Sequence, residues 1–302
     1  MKISELNAPI CELGEGPIWD AERNCLWWVD INVGDLHQFH LATENHKKIK
    51  VGNYCSAVIL CKSENLILTV KDGFAQLNLQ TGVSTYLAKK EEELPNNRFN
   101  DAKCDPAGRI WAGTMDFVGN RAEAGGLYTL EKNLHVQQKL ANISCSNGMA
   151  WSADEQSFYY IDSPTRKIAV YSYNKATGEI NNKRTIVKIS HKEGMPDGMT
   201  IDTDGMLWVA LWGGSALACY NPTNGKCIRK IELPVSNVTS CTFGGENLED
   251  LYITTARAGL SNRDLKNQPL AGRVFVCKNT GSKGLPAHRF AYHPIFNSTK
   301  ME

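Results

Sequence analysis

Asp197-Gly-Met-Thr-Ile-Asp-Thr-Asp-Gly-Met-Leu-Trp208 and Asn100-Asp-Ala-Lys-Cys-Asp-Pro-Ala-Gly-Arg-Ile-Trp111 are two copies of one phrase. Each runs from a polar residue through a short apolar alternation and a turn into an aromatic or aliphatic run. Looser copies end at Trp28, Ile67, Tyr160 and Tyr252, so the six end points lie 39, 44, 49, 48 and 44 residues apart. That period is the length of a four-stranded propeller blade. The turns agree. In Asp105-Pro-Ala-Gly108 and Asp202-Thr-Asp-Gly205, Pro presets φ, Gly accepts positive φ and Asp caps its own backbone. Leu26-Trp-Trp-Val29, Phe158-Tyr-Tyr-Ile161, Leu207-Trp-Val-Ala210 and Leu251-Tyr-Ile-Thr254 carry the aromatic and β-branched residues that strands favour. Lys167-Ile-Ala-Val-Tyr-Ser-Tyr173 reads as a third strand, and the turn Asn174-Lys-Ala-Thr-Gly178 leads to a fourth. No long helical period is present, and the polar segments 89–97 and 261–270 read as loops. The expectation is an all-β chain: a six-bladed β-propeller of four-stranded antiparallel blades around a central channel, forming one domain over residues 1–302. Closure of the ring is assigned to Ile3–Cys11, as an outer strand beside Arg273-Val-Phe-Val-Cys277.

Composition narrows the partners. The chain has 302 residues, with Lys+Arg 33 against Asp+Glu 32. A net charge of +1 gives no general attraction to nucleic acid or to an anionic membrane. The absence of an 18-residue apolar run excludes a transmembrane helix, and the first seven residues lack the apolar stretch of a signal peptide. Ten cysteines are scattered without a C-x-x-C pair and without histidines at zinc spacing. They read as buried reduced thiols of a cytoplasmic protein. The Lys47-Lys-Ile-Lys50 cluster reads as a solvated face, and His191 as an exposed loop residue. Asp202-Thr-Asp-Gly205 lacks the remaining ligands of an EF-hand and reads as a hairpin turn. Oligomeric state is not legible.

The repeat register carries the functional argument. Counting back from each turn to the residue that opens the first strand gives Glu15, Ser56, Asn100, Asn147, Asp197 and Thr239. In a radial repeat these positions form a ring, and the first strand of a blade is the innermost. The six side chains should therefore converge at one channel mouth. Carboxylate and amide oxygens suit a hard divalent cation, and two neighbouring carboxylates would repel without one. Glycine follows Glu15, Asn147 and Asp197, which would let backbone and ligand approach closely.

A resemblance adds to this reading. Gly14-Glu-Gly-Pro-Ile-Trp-Asp20, Asn97-Arg-Phe-Asn-Asp101, Asp105-Pro-Ala-Gly-Arg-Ile-Trp-Ala-Gly-Thr-Met115, Ser146-Asn-Gly-Met-Ala-Trp151, Tyr159-Tyr-Ile-Asp162 and Pro196-Asp-Gly-Met199 occur in this order. Together they resemble the senescence-marker-protein/gluconolactonase family of regucalcin-like proteins, luciferin-regenerating-enzyme-like proteins and bacterial sugar lactonases. The resemblance covers nearly the whole chain. It implies a six-bladed propeller with one divalent metal held by Glu15, Asn147 and Asp197, the ion being calcium, zinc, manganese, magnesium or iron(II). It places substrate contacts on Arg98 and Asn100. Some animal members carry an acidic residue in the loop after the Gly-Thr-Met segment; Arg121 stands at the matching position, with the candidate contact Glu123 two residues on. The implied reaction is hydrolysis of a sugar lactone to its aldonic acid, with Asp197 as ligand and general base. Asp101 stands as the residue that orients Arg98 or as a structural neighbour. A non-catalytic calcium-binding regulator, or an esterase acting on other esters or organophosphates, would use the same ligand set. A protein-interaction propeller would not need polar residues on the axis.

Overall fold

The computed structural model describes residues 1–52, 54–118 and 121–292. Among them, six four-stranded antiparallel sheets follow one another around a ring as the blades of a β-propeller. The innermost strands, in blade order, are Gly14–Asp20, Ala57–Leu60, Asn97–Cys104, Ser146–Trp151, Met195–Ile201 and Val238–Gly244. The six repeat end points all fall on second strands, from Cys25–Asp30 to Asp250–Thr255. These second strands are deeply buried because each is covered on both faces by neighbouring blades. Trp27, Trp28, Trp111, Trp208 and Tyr252 are all essentially without solvent contact. Full burial of one such side chain contributes about 1.5–3 kcal/mol. Outer strands such as Asn45–Lys50 and Cys227–Glu232 are largely exposed. Their lysines protect an otherwise free sheet edge. Lys48 and Lys50 pair there with Asp35, at 3.0 and 3.4 Å.

The two clearest repeats share a device that the looser ones lack. Asp105 and Asp202 each cap their hairpin turn and also accept a hydrogen bond, at 2.9 Å, from the indole N–H six residues on, at Trp111 and Trp208. The aspartate thus locks the turn to the blade core. Aromatic packing between blades continues from there: Trp111 lies edge-on to Trp151 at 5.9 Å, and Trp208 edge-on to Phe243 at 5.9 Å.

The ring closes as expected, with Lys2–Glu5 pairing antiparallel to Phe275–Lys278 in blade 6. A second closure was not legible in the sequence. Residues 283–292 cross the far end of the channel, bridging Gly284 to Asp202 in blade 5 and the buried Phe290 to Cys61 in blade 2. Phe290 N–H donates to Leu60 O at 2.8 Å, Ala291 N–H to Gly108 O at 3.1 Å, and Arg289 to Asp20 at 2.7 Å. This strap ties blades 1, 2, 3, 5 and 6 together. One expectation is corrected. Segment 261–270 is not all loop: Asn262–Asn267 is a short α-helix, started by a capping box between Ser261 and Asp264. Its polar sequence hid it, since it presents no apolar stripe. Among the described residues, no helix is long and apolar enough to cross a membrane.

Candidate active site at the channel mouth

Glu15, Arg98, Asn100, Asn147 and Asp197 line one pocket of about 510 Å³ at the channel mouth. They come from the innermost strands of blades 1, 3, 4 and 5. Each is buried, as are Ser56 and Thr239, the other two members of the counted ring. Ser56 is bonded to Thr69 within blade 2, and Thr239 to Gly14 O across the interface of blades 6 and 1.

Strand register explains why the ring faces the channel. The pairing between first and second strands breaks between Glu15 and Ile18, Phe99 and Asp101, Asn147 and Met149, Pro196 and Met199, and Val238 and Ser240. In blades 3, 5 and 6 the break leaves Asn100, Asp197 and Thr239 themselves unpaired and re-aims their side chains, whereas in blades 1 and 4 it follows the still-paired Glu15 and Asn147. Blade 2 pairs without a break and supplies only a serine. The glycines after the ring residues serve this packing. A Cβ on Gly148 would lie 2.7 Å from the Asp197 carbonyl oxygen, and one on Gly198 2.1 Å from Ser240 Oγ. The close approach expected of a ligand is thus made by the next blade, because the wedge is narrowest at the axis. Only Gly16, at φ +52°, also needs the left-handed region.

Hydrogen bonds link the side chains in a chain across three blades. Arg98 Nη1 donates to Asn100 Oδ1 at 2.7 Å and to Phe99 O at 2.9 Å. Asn100 Nδ2 donates to Ser146 O at 2.9 Å and to Asn147 Oδ1 at 3.2 Å. Asn147 Nδ2 donates to Ser163 Oγ at 2.8 Å, and Ser163 Oγ–H to Pro196 O at 2.6 Å. These bonds fix Asn147 with its amide oxygen on the Asn100 side. Asn100, not Asp101, orients Arg98. The Arg98 Nε is buried without an acceptor among the described residues.

The electrostatics are those of crowded carboxylates. Burial, and then the neighbouring Asp101 charge, push Glu15 up to about 8. Burial, and then Glu15 and Asp101, raise Asp197 well above the carboxylate range. Burial raises Asp101 to about 6, and burial lowers Lys103, which spans from blade 3 to the Met199 carbonyl of blade 5 at 2.7 Å. Desolvation favours the neutral acid, and like charges compound it. A divalent cation would reverse both effects, so this donor set of two carboxylates and an oriented amide oxygen fits such an ion. Among the described residues, no three His, Cys, Asp or Glu side chains form a metal cage, so any cation site here leans on the Asn147 amide.

Several contributors were missed from the sequence. Asp162 accepts from the N–H groups of Ser144 and Cys145, and Asp30 from those of Glu12 and Leu13. Each aspartate ends a second strand and clamps the segment leading into Ser146-Asn147 or Gly14-Glu15. The recurring apolar run ending in Asp, at 27–30 and 159–162, was the available signal. Cys145, read as a core thiol, lines the pocket with its sulfur 3.6 Å from the Asn147 amide nitrogen. Glu123 stands beside the wall residues Arg121 and Ala122, exposed at φ +60° with its backbone N–H on Ser144 Oγ. The positive φ turns the chain out of the wall just before the next strand. His191 lies in an exposed 3-10 turn outside the wall.

Comparison with known proteins follows the same line. The sequence profile of the SMP-30/Gluconolactonase/LRE-like region matches residues 13–257. A Bacillus subtilis (strain 168) protein named as a candidate sugar lactone lactonase, YvrE, is 40% identical over 263 residues, covering 87% of this chain and 90% of its own. Regucalcin of Gallus gallus is 38% identical, covering 96% of this chain and 99% of its own. The structure of a luciferin-regenerating enzyme superposes with a TM-score of 0.90 at 30% identity, covering 96% of this chain and 99% of that one. A calcium-binding regucalcin of Agrobacterium tumefaciens str. C58 gives 0.89 at 28% identity, covering 95% and 96%. With its six-bladed ring and its polar channel mouth, the chain belongs to the SMP-30/gluconolactonase/LRE-like family.

Proposed function

We propose that this protein is a metal-dependent sugar lactonase that opens an aldonolactone of the gluconolactone type to the aldonic acid. The observation that carries the reading is the convergence of Glu15, Asn147, Asp197 and Arg98 on one buried pocket in a chain of this family. A divalent cation held by Glu15, Asn147 and Asp197 would polarise the lactone carbonyl and stabilise the charge that develops on its oxygen.

The chain's own groups do the rest. The Asp197 carboxylate takes a proton from the attacking water as the new C–O bond forms. The ring C–O bond then breaks, and the same proton passes to the departing ring oxygen, which becomes a hydroxyl. Arg98, which lines the pocket, fixes the sugar, a role for which a planar fork of donors is better than a point charge. Asn100 positions Arg98 and Asn147, and its amide oxygen keeps a lone pair for a substrate hydroxyl. The ten free cysteines, eight of them buried, support a reducing, cytoplasmic setting.

A second reading, a non-catalytic calcium-binding protein, is supported by the regucalcin relatives and by the same carboxylate pair. A pH-indicator assay over a panel of aldonolactones, with calcium, zinc, manganese, magnesium or iron(II) and with chelator, separates the two. Metal-dependent acid release that is lost in Asp197→Ala supports the lactonase. Full activity in that variant overturns the mechanism. No turnover of any lactone with any of these metals favours the calcium-binding reading.

A further inference from the structure

We infer that Arg121 selects lactones bearing an anionic group, a carboxylate or a phosphate, at the end of the sugar away from the reacting carbonyl. The inference rests on the lactonase reading and deepens it.

Among the residues lining the pocket, five are charged: Glu15, Asp197, Arg98, Asp116 and Arg121. Glu15 and Asp197 form the carboxylate pair, and Arg98 is buried and tied to Asn100. Arg121 differs from all of them, because its side chain is 56% exposed while it still lines the wall. It sits in the connection between the second and third strands of blade 3, Ile110–Asp116 and Gly125–Leu130.

Asp116 fixes this arginine. The carboxylate is fully buried and accepts the Arg121 Nε–H at 2.5 Å and the Val118 N–H at 3.0 Å. Holding a guanidinium by Nε leaves its two terminal nitrogens as a preset pair of donors. Neither has a protein acceptor among the described residues. Two parallel N–H donors match the paired oxygens of a carboxylate or phosphate, and little side-chain entropy remains to be lost on binding. A neutral hydroxymethyl terminus would use one donor at most.

The experiment compares kcat/KM for glucono-1,5-lactone, its 6-phosphate and glucaro-1,4-lactone in the wild type, Arg121→Met and Arg121→Lys. In the wild type the anionic lactones are preferred over the neutral one, and added salt narrows the preference. In Arg121→Met the anionic-over-neutral ratio falls about tenfold, the size expected for one charge-assisted contact at a partly solvated rim. Arg121→Lys restores part of it. Response of the ratio for the phosphate alone, or for the dicarboxylate alone, identifies which anion the fork takes. A wild-type ratio near one that Arg121→Met does not change overturns the inference and leaves the lactonase standing. If no lactone is turned over, the lactonase reading falls. Calorimetric titration with glucarate against gluconate then still decides on Arg121: an affinity difference untouched by Arg121→Met overturns its role.

Discussion

The two ends of the channel are built on the same ring of inner strands and differ in how their charges are held. At the mouth, Glu15 and Asp197 are buried beside each other, with Asp101 just below. At the far end, Trp19, Val58, Ile201 and Phe243 give apolar walls to a cavity of about 370 Å³ whose charges are balanced, with Lys103 among its lining and Arg289 paired with Glu22 at 3.3 Å, under the strap residues Leu285 and Pro286. Burying like charges opposes folding, whereas burying Phe290 and its neighbours favours it. The mouth is therefore held in place by the rest of the molecule. The polar ring therefore opposes folding rather than supporting it, and the mouth reads as the functional end.

The sharpest way to break this comparison is at Asp197. Asp197→Ala should lower metal-dependent kcat/KM on the best lactone by about 10³-fold, in the range expected for loss of a group that stabilises the transition state. Because one of two repelling carboxylates is gone, the melting temperature of the chelated variant should not fall below that of the chelated wild type. A clear drop, read by calorimetry, would place Asp197 among the structural residues.

Phe290→Ala should behave in the opposite way. It empties a fully buried site in the strap. The expected loss is about 3–5 kcal/mol of unfolding free energy, measured by urea titration. Lactonase kcat/KM at 25 °C should stay within about twofold. An activity loss as large as that of Asp197→Ala would show that the two ends are not independent.

A third region tests the sign of the electrostatics. In blade 1, His37 is stacked on Trp28 at 5.0 Å and bonded to His46 at 3.0 Å. Burial, and then His46, depress it from 6.5 to about 4. Its neutral form is the one that folds, so its contribution is complete above pH 6.5 and is lost as pH falls toward 4. The size is about 3 kcal/mol. Glu15 has the other sign in chelated protein: raised to about 8, it contributes stability below pH 4.5 that is lost as pH rises through 8. Unfolding free energies of His37→Asn and Glu15→Gln between pH 4 and 8 should diverge from the wild type in opposite directions. Parallel profiles would contradict both assignments.

The smallest effect is expected at Arg98. Arg98→Lys loses the fork but no metal-binding oxygen, so KM should rise about tenfold, or 1.4 kcal/mol, at unchanged metal content by atomic absorption. Metal loss in this variant would move Arg98 from the substrate to the cation.

Much of this was readable in advance, and for physical reasons. A repeat that must close a ring leaves a fixed period in the sequence, and equivalent positions must lie at equivalent places. Counting therefore reached Glu15, Asn100, Asn147 and Asp197 before any coordinates. It could not reach the strap, because residues 283–292 match no repeat and gain their meaning only from blades 1, 2, 3, 5 and 6. The same holds for Cys145 and Ser163, which look like an ordinary core thiol and turn residue until Asn147 lies between them. The position of Glu123 at the rim, one residue beyond Ala122 and at positive φ, was likewise not readable from the chain alone.

Strand period and turn chemistry are local, so the six blades, their turns and the ring of polar residues are written in the chain itself. The direction in which those residues face, and what holds them, come from the folded ring. Bulges, the Asp30 and Asp162 clamps and the amide chain from Arg98 to Ser163 all depend on pairing between strands far apart along the chain.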